Sequence, residues 1–152
     1  MYWLNLIIPA LVFIPGLLLY FYPPANVPQE SPEVPVYFKV MEWIGRVGLI
    51  ITPLFSPYSA ISVAGGLAEI ALIVFLLLYY AGWVRFFLLG RVYEYLYLPM
   101  VGVPVPFAIS TVLYFMYASF LLSSGLMFVF AIIFAAGHIP KSIISYQSIK
   151  MN

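Results

Sequence analysis

Uncharged apolar runs recur along this chain at lengths that match helices crossing a bilayer. No residue from Met1 to Gln29 is charged, and Ile70 to Val84 is again uninterrupted. Backbone amides find no water in hydrocarbon, so such runs persist there only as helices that satisfy their own hydrogen bonds. The pattern predicts spans at about 3–22, 63–87, 105–122 and 125–139. Residues 37–55 are more polar and read either as a fifth, short span or as a helix lying in the interface. The fold class is therefore all-α: a polytopic transmembrane helix bundle of four or five spans, with 1–152 as a single integral membrane domain.

Prolines and small residues punctuate these runs. Pro9 and Pro15 fall inside the first span, where each removes a backbone donor and can kink the helix. A proline-rich connection from Pro23 to Tyr37, holding Glu30 and Glu33, is expected to be extended. Pro53 and Pro57 close the ambiguous helix, and VGVPVP introduces the run at 105–122. The Ser123-Ser124-Gly125 link is so short that the spans on either side must be antiparallel neighbours. Pro140 is expected to disturb the last helix, and the amphipathic KSIISYQSIKMN tail to continue along the surface. Tyr2, Trp3, Tyr20, Phe21, Tyr22 and Trp83 sit near span ends, where aromatic rings favour the headgroup level.

Composition narrows the chemistry. Charged residues make up 7% and the mean hydropathy is +1.09, against about 25% charged residues in soluble domains. Six Lys and Arg against five acidic residues leave a net charge of +1, too small for a nucleic-acid surface. The absence of cysteine removes disulfides, thiolate metal sites and thiol nucleophiles. One histidine without cysteine or aspartate cannot form a usual zinc site, and neither a GxSxG elbow nor an HExxH pair is present. No cofactor or metal is expected, and the balance is against an enzyme. The first run lacks the basic flank and small-residue cleavage site of a signal peptide and reads as a retained span.

The ionisable residues at membrane depth are the functional leads, because such groups are costly there unless they face the bundle interior. Glu42 and Arg46 have the favourable i, i+4 order for an ion pair, and Lys39 shares their helix face. Glu69 follows a stretch in which Ala60, Ala64 and Ala68 recur every fourth residue, a face that admits close helix approach. Glu42, Arg46 and Glu69 are the expected lining of an intramembrane polar site. Arg85 and Arg91, beside Glu94 and a tyrosine cluster, are candidates for headgroup or anion contacts. His138 is a weaker candidate. Ser142 and Ser145 follow it by one and two turns, and Glu69 or Glu94 is available to orient the imidazole.

Basic residues near span ends set orientation. Arg85, Arg91, Lys141 and Lys150 share one side if the last two spans form a hairpin, and that side, with the C-terminus, is expected to be cytoplasmic, in an inner or plasma membrane. The proline-rich loop joins them if residues 37–55 cross and lies opposite if they do not. The leading functional expectation is transport or a channel, with a non-catalytic scaffold or accessory subunit as the alternative and lipid processing through His138 less favoured. Partners are membrane lipids and a second subunit, either a copy of this chain or another membrane protein, since so few spans enclose little room for buried charge.

Overall fold

In the computed structural model, which describes residues 1–28, 32–57 and 63–151 (side chains only for 66–150 in the last stretch), the apolar runs become helices. These are α1 (Ile7–Phe21), α2 (Val36–Ile51), α3 (Val63–Leu88), α4 (Pro106–Leu121) and α5 (Gly125–Met151). No strand occurs among the described residues. Trp3–Phe21, Gly66–Leu88 and Gly125–Lys150 are long and apolar enough to cross a membrane, and Pro106–Leu121 is a shorter apolar helix. This is a membrane protein built as a helical bundle. Its outer faces fit that solvent: Ile70, Val74 and Leu77 on α3, and Val129 and Ile132 on α5, stand exposed.

Two expected boundaries move. Pro140 does not end α5, which runs unbroken to Met151. A proline removes one hydrogen bond, but packing of Gly137 against the backbone of Phe38 and Glu42 in α2 holds the helix in place beside the ring. Trp83, expected in an interfacial belt, is buried with Phe86 inside the bundle. The helix outlasts the apolar run, and only Val84, Phe87 and Leu88 of that turn look outward. Of the small-residue face, Ala60 and the side chain of Ala64 lie outside the described residues, while Ala68 is buried.

Four helices lie side by side in the order α2, α5, α4, α3. The central pair carries the core: Phe115, Ala118, Met127, Ala131 and Phe134 are all but inaccessible. Serine hydroxyls within these helices bond back to the preceding turn, as Ser110 does to the Pro106 carbonyl, so they add no unsatisfied group. α2 meets α5 at glycines. A Cβ on Gly45 would collide with the backbone of Phe134, and one on Gly137 with that of Glu42. These glycines let the two helices approach backbone to backbone.

α1 lies over this layer, packing Ile8, Val12 and Phe13 against it, and is fastened by hydroxyls as well. Pro15 has no N–H to give the carbonyl of Leu11, four residues back. Tyr80 of α3 supplies the missing donor, its hydroxyl bonding that oxygen at 2.9 Å. Tyr79 and Tyr114 donate to the carbonyls of Val12 and Ile8 at 2.7 and 3.0 Å. The ends of α1 are tied as well. The Asn5 amide donates to the Ser56 carbonyl at 2.7 Å, and Ala25 exchanges backbone bonds with Arg91 and Tyr93. Successive helices alternate in direction, so the loop after α1, the Arg91 connection and the end of α5 share one end of the bundle.

Candidate functional site

At that end a single carboxylate gathers three cationic or donor side chains. Glu42, near the start of α2, is buried. Its Oε1 accepts from Nη2 of Arg46, one turn on, at 2.8 Å. From α5, Nδ1 of His138 lies 3.1 Å from the same oxygen, and Nζ of Lys141 donates to Oε2 at 2.7 Å. An ionised carboxylate only accepts, so Nδ1 of His138 carries the proton, and Nε2 is an acceptor while the ring is neutral. The imidazole stacks on Phe134 at 4.7 Å, which fixes its plane. The Arg46 guanidinium also lies 5.5 Å over the ring of Phe13 from α1.

The balance of charge favours an anion. With His138 neutral, two cations surround one carboxylate, leaving the cluster at +1. Arg46, His138 and Lys141 line a cleft of about 470 Å³ beneath α1, within the range of small-molecule sites. One buried donor without a hydrogen-bond partner among the described residues, Nε of Arg46, belongs to a residue lining this same cleft. Buried polar groups are nearly always paired, so orphan donors mark places where an acceptor is missing. Tyr97, in the connection before α4, also borders the cleft. Burial, and after it the Tyr93 hydroxyl, pushes its phenol above the ordinary range, so it remains protonated.

No protein-family model, curated protein or solved structure matches this chain. The site is therefore read from its own geometry.

The sequence candidates are dispersed differently from their expected grouping. Glu42 and Arg46 meet as their spacing implies, and His138 joins them from α5. Lys39 does not follow them inward. It sits in the first turn of α2, where it is exposed at the bundle end. Glu69 is half-buried near the opposite end of α3, about 21 Å of helical rise from Trp83. Arg85 is occupied with the chain itself: Nη1 donates to the carbonyls of Leu98 and Pro99 at 3.3 and 3.0 Å, and its guanidinium covers Tyr95. Those contacts pin the VGVPVP approach to α4, where Val101 and Val105 have positive φ. Arg91 is half-buried and holds the first loop through its backbone.

The serine-histidine pairing does not form. Ser142 donates to the backbone oxygen of His138 at 2.8 Å and Ser145 to that of Lys141 at 3.2 Å, while Glu42, not Glu69 or Glu94, orients the imidazole. Lys141 was the participant hidden from sequence reasoning. Its position three residues after His138 puts both on one face of α5, but nothing local names Glu42 as their partner. The charge on Glu42 is compensated within one chain, so a second subunit is not needed for that purpose.

A second hollow, about 770 Å³, runs along the outer face of α2 and α5 past Trp43, Val47 and Phe130. It is larger but holds no ionisable side chain, and its apolar walls face the region occupied by lipid. The ionisable side chains line the smaller cleft.

Proposed function

We propose that the protein is a small transport-type membrane protein that binds an anionic solute in the cleft beneath α1. Arg46, Lys141 and His138 contact the anion, and Glu42 is the fixed counter-charge that holds the three in place. The observation that carries this reading is the surplus cation beside an unpartnered Arg46 Nε in a cleft of ligand size. A purely structural cluster would neutralise itself and close. The reading includes five crossings: α2 with its following 3₁₀ turn is about 32 Å long, against about 30 Å of hydrocarbon. The end bearing Arg85, Arg91, Lys141 and Lys150 is then cytoplasmic.

The test uses purified protein in neutral detergent and in neutral-lipid liposomes. Thermal stability is followed against inorganic phosphate, small carboxylates, choline and ammonium, and flux of the same ions is measured. Anions are expected to stabilise, by about 2.7 kcal/mol at 100-fold excess over Kd, and to cross the liposome membrane. Arg46→Lys should retain part of the effect and Lys141→Gln should lose most of it. Indifference to every anion, or equal response to cations, overturns the reading. Binding without flux leaves a receptor and removes transport.

A further inference from the structure

The cleft is divided by polarity. Its cations gather on one side, Arg46 on the middle of α2 and His138 and Lys141 on the middle and second half of α5. Across from them, on α1, α3 and α4, its walls are Val12, Phe13, Trp83 and Phe107. Gly16 of α1 faces the same space, and a Cβ there would meet nothing within 4 Å.

The mouth is also informative. α1 and α2 barely meet along their length, and the exposed apolar side chains bordering the cleft from each are Leu17 and Ile50, beside the half-exposed Arg46. Apolar side chains at such a gap suit a border with hydrocarbon. Lys39 is exposed one turn before Glu42, as expected of a chain reaching for the interface. Arg46 and Lys141 each lie about 15 Å of helical rise from that end of their helices, with the apolar side of the cleft beside them beneath α1.

Resting on the anion site proposed above, we infer that the ligand is an anionic amphiphile with one apolar chain, entering sideways from the bilayer between α1 and α2. Its carboxylate or phosphate head lies on Arg46, His138 and Lys141, and its chain runs past Phe13 and Gly16 toward Trp83. The head supplies the acceptor that Arg46 Nε lacks. The modest volume admits one chain and excludes a two-chain lipid.

The experiment uses Trp83 as reporter. In a Trp3→Phe, Trp43→Phe protein in neutral maltoside micelles, a fatty acid brominated on its chain should quench Trp83 fluorescence saturably. Unbrominated oleate and an alkyl phosphate of similar length act as competitors, and their relative strengths decide between carboxylate and phosphate heads. An alkyltrimethylammonium of the same length should compete at least tenfold less well. Gly16→Leu fills the chain region and favours helix; it should weaken quenching tenfold or more, with unchanged helix content and unchanged response to inorganic phosphate.

Equal competition by the cationic chain, or quenching untouched by Gly16→Leu, overturns the amphiphile assignment. Stabilisation by inorganic phosphate without any saturable chain binding overturns it too, while leaving the anion site intact. If no anion of either length binds, both fail.

Discussion

The bond between Tyr80 and the Leu11 carbonyl gives the most decisive prediction about α1. Hydrogen bonds between membrane helices average only about 0.6 kcal/mol and reach about 1.7, because the unfolded chain in lipid finds other partners. The three tyrosine bonds to α1 are not equivalent on this scale. The carbonyls of Val12 and Ile8 face Gly16 and Val12 one turn on, which keep their N–H groups, so Tyr79 and Tyr114 are second donors. Leu11 faces Pro15 and depends on Tyr80 alone. Removing a sole donor costs about 1–3 kcal/mol. Tyr80→Phe is therefore expected near the top of the membrane range, about 1.5 kcal/mol, and Tyr79→Phe nearer 0.5. Pro15→Ala restores the backbone N–H, so in that background Tyr80→Phe should cost only a few tenths. The coupling in a double-mutant cycle is then about 1 kcal/mol. It is read from reversible unfolding in mixed micelles, with far-UV circular dichroism as signal. Additivity within about 0.3 kcal/mol would refute the claim that Tyr80 replaces the donor lost to proline.

Gly45→Ala should destabilise by about 1–3 kcal/mol, since its methyl group meets the Phe134 backbone, whereas Gly66→Ala, with open space, should stabilise by up to about 1 kcal/mol; equal shifts in the same unfolding assay would contradict the close approach of α2 and α5. Cysteines at Arg91 and Lys150 should label alike with an impermeant thiol reagent in sealed cells, and one at Tyr2 oppositely; any other pattern breaks the alternation of helix direction across the membrane. Glu69→Gln should leave anion response unchanged, because Glu69 lies toward the other end of α3, and a loss comparable to that of Lys141→Gln would move the site.

What the sequence made legible was local. Runs of apolar residues marked the helices because hydrocarbon demands internal hydrogen bonding, and Glu42 with Arg46 could be read as a pair because one turn separates them. His138 and Lys141 could not be joined to that pair in advance: their contacts span 96 and 99 residues, and helix periodicity holds no information about which face meets which helix. The glycines of α2 and α5 were visible as residues but not as a contact, since close approach needs both partners. Trp83 was misplaced for a related reason. An aromatic near the end of an apolar run looks interfacial until the neighbouring helix that covers it is known.

The distance in sequence between Glu42 and its partners has a bearing on biogenesis. At translation rates of about 5–20 residues per second, Lys141 emerges roughly 5–20 seconds after Glu42. During that interval α2, the helix with the most charge, has only Arg46 beside its carboxylate and no α5 glycine to pack against. It is therefore the segment whose final seat in the bilayer must await the end of synthesis. Ribosome-stalled chains ending before His138 should leave α2 accessible to aqueous labels from which the finished protein shields it, and a chaperone that binds polar intramembrane segments would find its client there.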